Sequence, residues 1–162
     1  MNSGRFWLFA AALAITAVAL SAACGNSGGA ACTNCPPMEG SYVVAFAAVT
    51  SPDECTPLGV FLPRGPLDIA RAGAALTARW DGMQMEGTLY QSLDFNLLGT
   101  DAELDGGRTT FSINGRYAPG STDGGMGTIS GSFTGTYTRG TPQGPRDCTL
   151  FRPITAAQQR QP

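Results

Sequence analysis

The chain has 162 residues, of which 43% are hydrophobic and 14% are charged, and this length and composition suit one domain with a modest core. All ten basic residues are arginine, and the absence of lysine and histidine excludes an imidazole base, a histidine metal ligand and a Schiff-base lysine. Ten arginines against twelve acids leave a formal charge of −2 without a basic block, so we expect no nucleic-acid partner.

The first 24 residues read as an export signal. Arg5 precedes an apolar run over residues 6–19, and three small residues lie directly before Cys24. This segment resembles the lipobox of bacterial lipoproteins, which implies that residues 1–23 are a cleaved signal peptide and that acylated Cys24 anchors the protein to a membrane. Gly25, which is not aspartate, then implies the outer membrane of the cell envelope. Plain secretion and a membrane-spanning helix are the alternatives.

Four further cysteines follow in an exported chain, and an even number predicts two disulfides with three possible connectivities. We favour Cys55 with Cys148, because that bond would join the region after the first strand to the last strand, which are neighbours if the sheet closes. Cys32 and Cys35 would then close a small loop. A redox or zinc site is the alternative for this Cys-x-x-Cys, but two prolines and not a helix follow it.

The composition divides the mature chain into three parts. Residues 24–37 are rich in Gly, Ser and Asn and predict a flexible tether behind the lipid. Residues 38–154 carry the strand patterns and predict the folded domain. Residues 155–162 predict a disordered tail.

Strand patterns begin at residues 42–49, and the proline-rich residues 51–66 predict a loop in which Val60, Phe61 and Leu62 plug one end of a barrel. Residues 67–80 predict a hairpin turning at Gly73, with a helix as the alternative.

Further strands are expected at residues 83–90 and 93–97, from Arg108 to Tyr117, from Ile129 to Tyr137, and around Cys148 to Arg152. Bulky apolar residues alternate with small hydroxyls and glycines in these segments. The fold class is therefore predicted as all-β, an antiparallel up-and-down meander that closes into a barrel of seven or eight strands.

Two short segments resemble known barrel families. The residues GSFTGTY at 131–137 and INGRYAPGSTDGG at 113–125 are similar to strands of avidin and streptavidin, and EGSY at 39–42 resembles the opening of lipocalin-type barrels. Both resemblances imply a meander barrel.

A small barrel either holds one ligand or fills its interior with side chains. Inward glycines at 87, 115, 131 and 135 would leave room between five aromatic residues, which we name as candidate ligand-lining residues: Trp80, Phe111, Tyr117, Phe133 and Tyr137. The alternative is that the glycines permit strand coiling and the aromatic rings fill the space.

No residue pattern predicts catalysis, a cofactor or a metal. The serines have no histidine to activate them, and the acidic loop over residues 101–106 lacks the glutamate that a calcium loop needs at its twelfth position. We therefore expect a non-enzymatic envelope lipoprotein that binds a small apolar or amphipathic ligand. The alternative is a structural or protein-interaction lipoprotein with a filled barrel, which meets an envelope protein through the loop at 52–66 or through a sheet face.

Overall fold

Eight antiparallel strands form a closed barrel in the computed structural model, which describes residues 29–48, 55–102, 106–121 and 125–160. Each strand pairs with the next in chain order, and the last strand pairs with the first, so the predicted up-and-down barrel is confirmed. The strands are β1 (Gly40–Phe46), β2 (Leu67–Ala72), β3 (Ala75–Trp80), β4 (Met83–Leu89), β5 (Asp94–Ala102), β6 (Arg108–Ala118), β7 (Thr128–Thr141) and β8 (Gly144–Gln158).

Alternation along each strand determines which side chains enter the core. In β2 and β3, Leu67, Ile69 and Leu76 are buried, whereas the residues between them face water. The turn between the two strands uses Gly73 at a φ of 64°, a backbone conformation that glycine adopts without steric cost. The hairpin predicted for residues 67–80 is therefore confirmed, and the helical alternative is wrong.

The strand directions give the barrel two distinct ends. The N-terminal end carries residues 29–39, the turns at 73–74 and 90–93, and the connection from β6 to β7. The loop end carries the long connection from β1 to β2 and the turns at 81–82 and 142–143.

The predicted flexible tether is wrong for residues 29–37. Ala31 forms a β-bridge with Tyr90, and the backbone N–H of Cys32 donates to the carbonyl of Leu89 at 3.0 Å. The Pro37 carbonyl, farther along, accepts a hydrogen bond from the β6 residue Tyr117. The segment therefore crosses the mouth of the barrel, where its backbone groups form hydrogen bonds. Its composition did not predict this, because the hydrogen-bond partners are distant in the sequence.

The predicted disordered tail is wrong for residues 155–158. Strand β8 continues to Gln158 and pairs with β1 from Tyr42 to Phe46. Ala156 is buried, and the backbone N–H of Gln159 donates to the carbonyl of Ser41 at 2.7 Å. These residues close the barrel, and their small side chains had concealed the strand.

Both disulfides have the predicted connectivity. Cys55 is bonded to Cys148 and Cys32 to Cys35, with Cα–Cα distances of 5.4 and 5.8 Å. The first strand ends at Phe46, earlier than predicted. Residues 1–28, including the predicted signal peptide and Cys24, lie outside the described residues, as do residues 103–105 of the acidic loop.

Candidate functional site

Four of the five candidate ligand-lining residues lie together inside the barrel, toward its loop end. Phe133 is fully buried, and its ring centre lies 5.3 Å from that of Trp80 and 5.2 Å from that of Phe111. The Tyr137 ring follows at 6.1 Å from Phe111. These separations and the edge-to-face angles are those of aromatic side chains packed in a core.

Phe46 completes this aromatic cluster, although the sequence did not identify it as a lining residue. Its ring stacks on Trp80 at 5.6 Å and meets the edge of Phe133 at 5.9 Å. The sequence could have identified Phe46 from its position in the first strand, where it alternates onto the same inward face as Tyr42. The Trp80 indole N–H donates to the Gly65 carbonyl at 3.2 Å, so this nitrogen is bound by the protein's own loop.

The inward glycines accommodate neighbours that already occupy the space. A Cβ added at Gly135 would lie 2.7 Å from the Tyr137 Oη and 3.0 Å from the Phe133 ring, and one added at Gly87 would overlap the carbonyl group of Asn96. The room that these glycines provide is therefore taken by rings and by backbone.

Tyr117, the fifth candidate, is separated from the others at the N-terminal end. Its hydroxyl donates to the Pro37 carbonyl at 2.5 Å, and the hydroxyl of neighbouring Tyr42 donates to the Met38 carbonyl at 2.7 Å. Burial raises the pKa of both phenols above the ordinary value, so both keep the protons that these hydrogen bonds need at neutral pH. The pair fastens residues 37–38 to the barrel.

A cleft of about 640 Å³ opens beside Tyr117 at the N-terminal end. Pro37 and Met126 supply apolar surface, and Gln158 and Arg160 supply polar groups. Met126 is half exposed. The cleft lies outside the barrel interior, and the sequence patterns contained no signal for it because its walls come from separate parts of the chain.

At the loop end, the described residues include a large apolar side chain exposed to solvent. Val60 is buried and Leu62 packs against the core, as the predicted plug requires, but Phe61 is 64% exposed. Phe61 borders a shallow cleft of about 390 Å³ that also includes Phe46 and Arg64.

Contacts on both sides hold this loop in place. Cys55 is bonded to Cys148 of β8, and a short 3-10 turn, Thr56–Leu58, follows Cys55. After Phe61, the Arg64 backbone N–H donates to Asp81 at 3.2 Å. Residues 55–64 of the loop are thus braced against β8 and against the turn between β3 and β4, and Phe61 lies between these two contacts.

Among the described residues, no group of three or more Cys, Asp or Glu side chains is arranged to hold a metal ion. The described residues form two ion pairs, Arg71 with Glu39 and Arg116 with Asp94, and both lie at the N-terminal end of the barrel. In each pair the arginine Nε is 3.2 Å from a carboxylate oxygen. No helix within the described ranges has the length and apolar content needed to cross a bilayer.

Comparison of the chain with protein-family models, with curated proteins and with solved structures found no match.

Proposed function

We propose that this protein is a non-enzymatic lipoprotein of the cell envelope, anchored in the outer membrane through acylated Cys24, with a filled barrel that binds a protein partner at its loop end. The observation that carries this proposal is the aromatic cluster, in which Phe46 and four predicted lining residues pack against one another. A carrier needs an interior volume that its ligand can enter, and these rings take up the part of the interior toward the loop end.

The first test is native mass spectrometry of residues 25–162, produced in an oxidising periplasm. We expect the mass of the bare chain, four hydrogens light because of its two disulfides. An additional mass that disappears on denaturation would identify a ligand, and if a Met126→Asp variant still retained it, the filled-barrel proposal would be overturned.

The lipid anchor has its own test. Replacing Cys24 with alanine should abolish incorporation of labelled palmitate, because the thiol that receives the diacylglyceryl group is gone. The alanine variant of Cys32 serves as the control and should still be labelled. Labelling that persists in the Cys24 variant would contradict the lipoprotein proposal.

Phe61 is the residue that we assign to partner binding. Aromatic side chains on a fixed surface provide large contact area at small entropic cost, and they frequently dominate the energy of protein interfaces. The partner that fits is a protein with an apolar pocket for this ring. Binding of such a protein would cover the shallow cleft between Phe61 and Arg64.

A photoreactive phenylalanine analogue tests this assignment in intact cells. Placed at position 61, it should form one reproducible crosslinked species, which disappears when unlabelled protein competes but remains when the competitor is Phe61→Ala. The same analogue at exposed Gln84, on the outer face of β4, is the matched control. Absence of a specific product at 61 would refute the assignment.

The cleft beside Tyr117 favours a second candidate function, the binding of a small amphipathic ligand outside the barrel interior. Its mixed wall of Pro37, Met126 and Arg160 has both apolar and polar character. Retained mass that is lost in a Met126→Asp variant, but not in a Phe111→Leu variant, would place the ligand there.

A further inference from the structure

The segment that leads from the lipid-modified cysteine is bound to the barrel almost from its beginning. The Gln91 backbone N–H donates to the Ala30 carbonyl at 2.9 Å, beside the Ala31 bridge to Tyr90. Cys32 is buried, at 5% exposed. The chain is therefore fixed to the turn between β4 and β5 from residue 30 onward.

The Arg71 side chain reinforces this attachment farther along. Its Nε lies 3.2 Å from Glu39 Oε1, and its Nη1 donates to the Cys35 carbonyl at 3.5 Å. Met38 is completely buried. Contacts to β2, β4, β6, β8 and the turn between β4 and β5 thus hold residues 30–39 across the mouth of the barrel.

Only four residues separate Cys24 from Gly29. Five Cα–Cα steps span at most about 18 Å even when fully extended. An acylated Cys24 must lie at the membrane interface, because its acyl chains are buried in the bilayer. Gly29 cannot move farther from the lipid than this distance, and the turn at 90–93, which binds Ala30 and Ala31, stays close to it.

We infer that the N-terminal end of the barrel is a membrane-docking surface whose partner is the lipid bilayer itself, and that the loop end points away from it. This inference rests on the proposed lipid anchor. The short connection makes the orientation a property of the chain, since inverting the barrel would pull Cys24 out of the bilayer or detach residues 30–39.

The side chains at this end suit a lipid–water interface. Partly exposed Tyr90 and half-exposed Met126 provide amphipathic and apolar groups, and Arg116 and Arg160 provide cations that attract anionic headgroups. The Arg116 side chain is 64% exposed and forms an ion pair with Asp94. We therefore expect Arg116 to contribute only weakly to the attraction between the protein and anionic headgroups.

The opposite end lies far from the surface in this orientation. Strand β6 has 11 residues, which at ~3.3 Å per residue and a tilt of ~40° separate the two ends by roughly 28 Å along the barrel axis. Phe61 would therefore be displayed about that much farther from the lipid than Tyr90, accessible to a partner in the adjoining compartment.

Energy transfer from the protein to the membrane tests the orientation. The full acylated protein carries a single dye at position 91, in the N-terminal end, or at position 143, in the exposed turn between β7 and β8. Each is reconstituted in phosphatidylethanolamine–phosphatidylglycerol vesicles that contain a rhodamine-labelled lipid as acceptor. We expect transfer from position 91 to exceed that from position 143 about twofold or more, given the separation of the ends.

An insertion of twenty Gly and Ser residues between positions 28 and 29 is the control. It lengthens the connection to an r.m.s. span of about 28 Å. The difference in energy transfer between positions 91 and 143 should then become smaller. Equal transfer from both positions in the uninserted protein would overturn the inferred orientation while leaving the lipid anchor intact. Protein that carries no acyl group would overturn the anchor and, with it, this inference.

Discussion

Replacing Phe133 with alanine should lower the free energy of unfolding by about 4 kcal/mol. The side chain is fully buried, and its transfer from water accounts for about 2 kcal/mol. Its ring also meets Phe46, Trp80 and Phe111 edge to face, and such contacts are each worth ~0.5–1.5 kcal/mol beyond burial. The sum agrees with the ~3–5 kcal/mol measured for phenylalanine truncation in other cores.

Urea denaturation of residues 25–162, followed by far-UV circular dichroism, measures this loss. Trp80, the one tryptophan in residues 25–162, supplies a second probe because it adjoins the mutated site. Phe151→Ala is the matched control, since that ring is 57% exposed on the outside of β8, and it should cost less than about 1 kcal/mol. If Phe133→Ala also costs less than about 1 kcal/mol at an unchanged m-value, the reasoning that the ring fills the interior is refuted.

Three other perturbations have defined outcomes. Replacing Cys55 and Cys148 with alanine opens a loop with a sequence separation of 93 and should cost about 4–5 kcal/mol by the chain-entropy estimate, seen as a lower urea midpoint. Gly87→Ala would push a methyl group into the Asn96 carbonyl and should cost ~1–3 kcal/mol or more in the same assay. Burial raises the pKa of the Tyr42 phenol, so the folded protein keeps this proton longer than the unfolded chain, and the urea midpoint should fall as pH rises above about 10, less steeply in Tyr42→Phe.

Each of these has a control in the same chain. Alanines at Cys32 and Cys35 open a loop with a separation of 3 and should cost only about 2 kcal/mol, so an equal loss in both disulfide variants would contradict the loop-length argument. Gly29→Ala meets no atom within 4 Å and should be neutral. If the urea midpoint of the Tyr42→Phe, Tyr117→Phe double variant falls with pH as steeply as that of the unmodified protein, these phenols do not cause the loss of stability at alkaline pH.

The strands and their closure were predictable because their signals are local and periodic. Alternation around Phe111 and Phe133 identified the inward faces, and the proposed bond between Cys55 and Cys148 required the first and last strands to be near each other. Strand length was harder to predict. Ala156 has too small a side chain to produce a visible pattern, although backbone pairing with β1 orders it.

The arrangement of the candidate site depends on partners distant in sequence. Tyr117 binds the Pro37 carbonyl 80 residues away, and this contact turns an expected tether into a segment that crosses the barrel mouth. The contact of Phe46 with Trp80 depends on barrel stagger, which alternation within one strand does not encode. The acylation of Cys24 stays a prediction.

The pairing of β1 with β8 also has a consequence for biogenesis. Tyr42 pairs with Gln158, 116 positions later in the sequence, so this seam cannot form until the chain through Gln158 is available. Contacts of such long range slow folding, and an unclosed sheet exposes two strand edges that can pair with other chains. Until β8 is in place the protein is therefore an open sheet exposed to aggregation, and a chain truncated after Ile154 would retain those edges permanently.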